Sequence, residues 1–236
     1  MAGLFVRVKA DLEKGETMTL TLLDLYNAAA TQEWSMYDND AASGSEFENS
    51  LVLALNKALQ EILYSYPFAF RERTHIVLTL PNIKAYDLPV GIIRKNAVGK
   101  YCVKLGTKFL DLIEKHDLLG DSSGIPEGFF IKNNKIYFYP TPEAQSIITI
   151  EYMTLCVGEN KSGDEIFALK NDDDIVDVKP HLEELLKNAV ISRAMLNSIA
   201  SESDENYSAY KKQSETAYRL LIKYAKGVDG EKRVRL

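Results

Sequence analysis

The three histidines are the first residues to consider, because the imidazole ring serves both as a metal ligand and as an acid–base catalyst. His75, His116 and His181 fall in three different predicted elements, and none has a second histidine or a cysteine at metal-ligand spacing. The sequence also has no nucleophile elbow, Walker loop or dinucleotide-binding fingerprint. We therefore predict no catalytic residue, no cofactor and no metal site.

Four aspartates form the densest group of charges in the chain: Asp172, Asp173, Asp174 and Asp177. Hard cations such as Mg²⁺ and Ca²⁺ take oxygen ligands, but this spacing lacks the glycine and the glutamate of a calcium-binding loop. The pattern therefore favours a solvated acidic loop over a cation site.

Arg193 falls within a predicted helix whose Leu182, Leu186 and Ala189 share its face, where an unpaired charge would be costly. Three outcomes stay open: a pair with an acid among the helices, a contact across a subunit boundary, or a buried stem whose charged head reaches water.

The other side of the same helix is also apolar, with Ile191, Met195 and Ile199. Such a helix packs on more than one side, either in the middle of a bundle or at a subunit interface.

Two further segments are candidates for contacts with other proteins. The run "LYSYPFAF", Leu63 to Phe70, is dense in aromatic residues, which are enriched in cores and at well-packed interfaces. The C-terminus is basic in an acidic chain, so it is either a frayed end or a docking strand that orders against a partner. Its residues are Lys232, Arg233, Val234, Arg235 and Leu236.

The composition narrows the class of protein. Of the 236 residues 46% are hydrophobic, enough for a sizeable core, and the net charge of −6 argues against a general phosphate-binding protein. This charge does not exclude a protein that lines a path for DNA. Cys102 and Cys156 lie in apolar runs and are predicted to be buried thiols in a reducing compartment. With no signal peptide and no apolar run of membrane-spanning length, we expect neither the usual export route nor a membrane contact.

Helical periodicity at both ends and a period of two in the middle define the predicted elements. Helices are expected from Thr21, from Ser43 to near Pro67, from Pro180, and from Asp204 to Gly227, with a β-hairpin turning at Asn133 and Asn134. The segment "KFLDLIEKHDLLGD" is expected to form a further short helix.

The predicted fold class is α+β, a helical-bundle body of about four helices with an inserted antiparallel β-rich lobe. We expect an N-terminal helical part at 1–70, a β-rich insertion at 71–170, a C-terminal helical part at 171–227 and a C-terminal arm at 228–236.

The order of these parts resembles the head-to-tail adaptor proteins of short-tailed phages, a group that includes tail-tubular-protein-A-like and gatekeeper rings. The likeness is carried by "EFENSLVLALNKALQEILYSYPF", "AYDLP", "GIPEGFFIKNNKIYFYPTPEAQSIITIEYM" and "KPHLEELLKNAVISRAML", and thus extends over most of the chain. The acidic stretch Asp172–Asp177 and the aromatic run match nothing in this group.

The resemblance implies a structural virion protein of the neck or tail, assembled in the bacterial host cytoplasm. It implies a ring of about twelve copies beneath the portal that joins capsid to tail and takes part in tail assembly and genome ejection. The partners would be the other copies, the portal protein, and the next tail ring or nozzle protein. DNA would pass through the channel without specific binding.

On this interpretation the candidate residues take three roles. The portal contacts would be Lys232, Arg233, Val234, Arg235 and Leu236. The ring contacts would be Tyr66, Phe68, Phe70, Ile191, Arg193, Met195 and Ile199. The acids facing the channel would be Asp172, Asp173, Asp174 and Asp177, because an acidic wall lets DNA slide.

Two other functions stay open. One is a cell-wall hydrolase carried on the virion, which needs two carboxylates with separated pKa values in one cleft. The other is a non-viral cytosolic scaffold protein with a β-rich interaction module. Assembly state separates them, because only the adaptor is expected to form large rings.

Overall fold

The computed structural model describes residues 19–31, 44–114, 120–198 and 206–234. Over these residues the chain forms four α-helices, one short 3-10 helix and fifteen β-strands in four sheets. The chain divides into two compact units. The described part of one, the lobe, is Glu72–Leu155, and the other, the helical unit, comprises the described parts of Lys14–Arg71 and Cys156–Leu236.

The helices are α1 (Leu22–Thr31), α2 (Gly44–Ser65), α3 (Pro180–Ser198) and α4 (Tyr207–Val234), with a 3-10 turn at Ala69–Arg71. The strands, in chain order, are β1 (Thr19–Thr21), β2 (Glu72–Thr79), β3 (Ala85–Asp87), β4 (Gly91–Ile93), β5 (Val103–Leu105), β6 (Lys108–Phe109), β7 (Asp111–Leu112), β8 (Ser123–Gly124), β9 (Gly128–Lys132), β10 (Lys135–Tyr139), β11 (Thr141–Pro142), β12 (Ser146–Thr154), β13 (Gly158–Glu159), β14 (Glu165–Ile166) and β15 (Ile175–Asp177).

Helix α3 lies at the centre of the helical unit and packs against α1, α2 and α4. Its Leu186, Val190, Ile191 and Ala194 are completely buried. This confirms the prediction that the helix packs on more than one side. Among the described helices, none is both long enough and apolar enough to cross a bilayer.

The prediction of a helical-bundle body is wrong, although the fold is a mixture of helix and strand. The helical unit also holds an antiparallel four-stranded sheet in the order β1-β15-β13-β14. Leu20 of β1 and Val176 of β15 share the core with the helices. With only ten residues, α1 is about 15 Å long and cannot cover the 22-residue α2, so strands complete the core.

The lobe contains a five-stranded sheet in the order β2-β12-β5-β6, with β4 also paired to β12, and a four-stranded sheet in the order β3-β10-β9-β7. It is not wholly antiparallel, because β7 runs parallel to β9 and β8 parallel to β11. Its buried core consists of Val77, Val103, Leu110, Phe129, Ile136, Phe138, Ile148 and Ile150.

Several local predictions can be compared directly with the structure. The hairpin is confirmed: β9 and β10 pair around Asn133 and Asn134, which have φ values of 50° and 57°. The start of α1 is also confirmed, since the Thr21 backbone N–H and hydroxyl both donate to Asp24 and the Thr21 hydroxyl accepts from the Asp24 N–H. Both cysteines are buried and form no disulfide in the described part of the chain, in agreement with the predicted buried thiols.

Two element predictions are wrong. In its described first part, the segment expected to be a helix from Lys108 instead forms β6 and β7, because pairing with β5 and β9 overrides its helical pattern; residues 115–119 lie outside the described residues. Helix α4 does not end at Gly227 but continues to Val234. Gly227 is not among the glycines with positive φ, so it acts as an ordinary helical residue there.

Candidate protein interface

The described residues contain no group of three or more histidine, cysteine or acidic side chains that could hold a metal ion. His75 lies in β2 and His181 in α3, in different units, while His116 is outside the described residues.

The four clustered aspartates have different environments. Asp174 is buried, and its carboxylate accepts hydrogen bonds from the backbone N–H groups of Lys170 (2.7 Å) and Asn171 (2.9 Å). Burial opposes ionisation of Asp174, but these hydrogen bonds outweigh it and lower the pKa of the carboxyl. Asp172 and Asp173 are exposed and Asp177 is half-buried, so Asp174 holds its own loop together while its neighbours face outward.

Arg193 pairs with an acid among the helices, the first of the three outcomes considered from sequence. Its Nε lies 2.6 Å from Glu61 Oε2 on α2, and the Asn197 amide donates to the same carboxylate at 3.3 Å. Both charged side chains are partly exposed. Arg193 thus joins α3 to α2 within one chain.

Most of the predicted ring-contact residues belong to the core of the helical unit. Phe68, Phe70 and Ile191 are buried, and Phe68 stacks on Phe70 with ring centres 5.1 Å apart. Tyr66 meets Phe68 edge-on at 4.9 Å, Met195 packs on the same core, and Ile199 is outside the described residues. The buried side chains of Phe68, Phe70 and Ile191 leave no surface for another copy, whereas Tyr66, Arg193 and Met195 are partly exposed, and their ring contact stays a prediction.

The predicted portal contacts lie at the end of α4. The helix includes Lys232, Arg233 and Val234 by its backbone, and their side chains are not described. Arg235 and Leu236 lie outside the described residues. The basic terminus thus begins as helix and not as the strand or frayed end considered from sequence.

The exposed side of α4 combines positive charge with apolar side chains. Its buried line is formed by Ser214, Leu221 and Ala225. On the opposite side lie four cations, which we call the basic stripe: Lys212, Arg219, Lys223 and Lys226. Beside the stripe, Leu220 and Tyr224 are 41% and 53% exposed, one helical turn apart.

A second surface of the helical unit has the opposite sign. The first backbone N–H groups of α1 bond to the aspartate loop, from Leu22 to the Asp174 carbonyl (3.1 Å) and from Leu23 to the Asp172 carbonyl (3.4 Å). These bonds bring the exposed Leu23, Asp24, Asp172 and Asp173 together, and we call this group the acidic patch. Leu23, which precedes Asp24 in the chain and bonds through its N–H to the Asp172 carbonyl, is 44% exposed.

The lobe exposes an apolar surface on its five-stranded sheet. Along β2, Ile76 and Leu78 alternate with the buried Val77 and Thr79, and Leu80 continues the outward series. Ile147 of β12 is the register partner of Leu78 and is 58% exposed. We call the outward residues Ile76, Leu78, Leu80 and Ile147 the apolar row.

Sequence reasoning did not select these exposed apolar residues. The only signal for Leu220 and Tyr224 was that they fell outside the apolar stripe of their own helix. On β2, every residue from Ile76 to Leu78 is apolar, so alternation could not separate a buried side from an exposed one.

The model of the SU10 adaptor protein family matches residues 20–235. The chain belongs to this family, whose members are phage head–tail adaptors, and the resemblance noted from sequence is thereby confirmed. No curated protein matches the chain.

Membership in this family establishes the class of function. The protein is a phage structural adaptor of the virion, with partners among other phage head and tail proteins. The family is one of structural proteins and is not known for enzymatic activity.

Proposed function

We propose that the protein assembles into a ring of about twelve copies beneath the portal, joins the capsid to the tail, and surrounds the path of DNA. The observation that carries this proposal is the match to a head–tail adaptor family over residues 20–235. The exposed apolar side chains of both units support it, because large apolar side chains grouped on a surface are typical of protein contacts.

The portal contact in this proposal lies at the C-terminus. Residues Lys232–Leu236 add three cations and are separated by five residues from Lys226, the last cation of the basic stripe. We therefore expect deletion of Val234–Leu236 to abolish portal binding while leaving the fold unchanged. Co-elution of the purified truncated chain with portal, checked against circular dichroism of both forms, tests this. Undiminished co-elution would rule out the terminus as the contact.

The contact with the next tail component is assigned to the apolar row of the lobe. Replacing Leu78 and Ile147 by glutamate places charge at the centre of that row and is expected to prevent attachment of the next ring or nozzle protein. Binding to portal is expected to continue. Replacement of the exposed Val98, which lies in the loop between β4 and β5, is the matched control.

The passage of DNA through the ring is consistent with the net charge of −6. An acidic protein gains little from releasing the counterions of DNA, so it binds the duplex weakly. A ring of such subunits is expected to let DNA pass without holding it. Electron microscopy of the purified chain mixed with portal tests the whole proposal: a ring of added density beneath the portal supports it, and bare portals contradict it.

A further inference from the structure

We propose that the outer side of α4 in one copy docks onto the acidic patch of the next copy, so that these two surfaces form the seam of the ring. The inference rests on the proposed ring and adds which surfaces meet. It also assigns Asp172 and Asp173 to the seam in place of the channel wall that the sequence suggested.

The first surface is long and positively charged. The basic stripe runs from Lys212 to Lys226, a distance of about 21 Å along the helix axis, within an arc of about 60°. Over the described side chains of α4 there are five cations and one acid, Glu215. Glu215 lies 3.5 Å from Arg219 in an exposed pair, and Lys226 lies over the Tyr66 ring at 5.8 Å.

The second surface is compact and negatively charged. It has three exposed carboxylates, those of Asp24, Asp172 and Asp173. The Asp24 carboxylate accepts from the Thr21 backbone N–H and hydroxyl, and the Leu23 N–H bonds to the Asp172 carbonyl. Lys161 lies 3.2 Å from Asp173, but its side chain is 85% exposed, so this pair is largely screened by water. The patch is fixed in shape, because the buried Asp174 and the first turn of α1 hold the loop.

The two surfaces match in chemistry as well as in charge. Each combines ions of one sign with exposed apolar side chains: Leu220 and Tyr224 on α4, and Leu23 in the patch. Docking one onto the other pairs opposite charges and removes the apolar side chains from water. Because the surfaces are different parts of the same unit, such a contact is head-to-tail, the kind that closes into a ring.

A second copy explains these features better than DNA does. A helix that bound phosphate groups would use its cations and the hydroxyl of Tyr224, but Leu220 would gain nothing from the contact. A wall facing a water-filled channel would likewise leave Leu23 exposed. DNA binding by α4 nevertheless makes a distinct prediction and is one outcome of the test below.

The test uses two charge reversals and their combination in the full-length chain. The first variant carries Lys212→Glu, Arg219→Glu and Lys223→Glu, and the second carries Asp172→Lys and Asp173→Lys. The control reverses three exposed lysines of the lobe, Lys84→Glu, Lys108→Glu and Lys135→Glu. Assembly is followed by sedimentation velocity with portal, and folding by circular dichroism.

Each single-surface variant is expected to assemble on the order of a hundredfold more weakly than the natural chain, because like charges would face each other in every seam. The chain that carries both reversals is expected to regain assembly, because its charges are again opposite across the seam. An equimolar mixture of the two single-surface variants is expected to form rings too, with the variants alternating. The control is expected to assemble normally.

Three results would overturn the seam. One is normal assembly of the α4 variant, and another is failure of the doubly reversed chain to recover while the control assembles. The third is loss of binding to a fluorescent DNA duplex in the α4 variant with its rings intact, which would assign the basic stripe to DNA. If the natural chain itself formed no ring with portal, the proposed function would fail together with the seam.

Discussion

The two units of the protein differ in how far their surface charges are paired. The described cations of the lobe mostly lie next to acids of the same unit, whereas the helical unit combines pairs such as Lys161–Asp173 and Arg219–Glu215 with Lys212 and Lys223 of α4, which form no ion pair among the described residues. The pairs of the lobe are Lys84–Asp121, Lys100–Asp111, Lys104–Glu151, Lys108–Glu127, Lys135–Asp87 and Arg94–Glu72. Charges paired at such distances cancel locally, whereas separated charges act over a Debye length of about 8–10 Å. On the proposed function, the helical unit would therefore orient a partner by charge, and the lobe would recognise its partner mainly through its apolar row.

The largest losses of stability are expected from substitutions in the two hydrophobic cores. They test whether the stability of each unit depends on its own core. Phe129 in the lobe and Leu186 in α3 are completely buried. Phe129→Ala should lower the free energy of unfolding by about 3–5 kcal/mol and Leu186→Ala by about 2–5 kcal/mol. Urea denaturation measures both, with the exposed Ile125→Ala as control. A change below 1 kcal/mol at either core position would contradict the packing described here.

Asp174 differs from the exposed acids of the two units because its carboxylate is buried in the helical unit. Both N–H groups donate to the same oxygen, Oδ2, so in Asp174→Asn the amide oxygen can replace it while the NH₂ takes the place of Oδ1 and faces the Asn171 side-chain NH₂. The negative charge that strengthens these hydrogen bonds is also lost, so we expect a loss of about 1–3 kcal/mol at neutral pH. The matched control is Asp172→Asn, which removes an exposed charge of the same loop.

The effect of Asp174 should also depend on pH in a defined direction. The folded pKa lies below the ordinary 3.8, so the carboxylate stabilises the fold at higher pH and this contribution is lost as the pH falls through the folded value. The difference in stability between the natural chain and Asp174→Asn should therefore shrink on acidification below pH 3.8. A difference that stayed constant would show that the ionised form is not what matters.

An ion pair from each unit gives a smaller contrast. Arg193 is fixed by Glu61 between two helices, and its removal should cost about 1 kcal/mol. Lys84 pairs with the fully exposed Asp121, and Lys84→Ala should leave stability unchanged within error. If Arg193→Ala and Lys84→Ala lowered the melting temperature equally, the claim that only the Arg193–Glu61 pair stabilises the fold would be wrong.

The smallest expected change is an increase in stability. Gly227 is helical, and a Cβ atom added there meets nothing within 4 Å. Gly227→Ala should therefore stabilise α4 by about 0.5–1 kcal/mol, because alanine loses less backbone entropy in a helix. Gly158→Ala is the opposite case, since its Cβ would collide with the Ile175 carbonyl oxygen in the sheet of the helical unit. Melting temperatures that moved in the same direction for both would contradict this.

How much of this could be predicted depends on the length of each element. The 22-residue α2, the 19-residue α3 and the Asn133–Asn134 hairpin repeat their pattern or carry specific turn residues, and all three were predicted from sequence. Strands of two or three residues, such as β13, β14 and β15, are too short for alternation to show, so the sheet of the helical unit was missed.

The candidate surfaces were harder to predict than the fold. Aromatic density at Tyr66–Phe70 indicated an interface, but sequence cannot separate an interface from a core when both favour the same side chains. Asp172 and Asp174 look alike in sequence, and only the three-dimensional loop shows that one is exposed and the other buried. The partner of Arg193 lies 132 residues away, beyond any local pattern.

The most direct test of the central claim is the mass of the protein in solution, measured by light scattering with and without the portal protein of its phage. The proposed function predicts a free ring of about twelve copies, or a smaller species that shifts into a portal-sized complex. A stable monomer or dimer whose mass does not change when portal is added would contradict the ring. It would also contradict the different contacts proposed for the helical unit and the lobe.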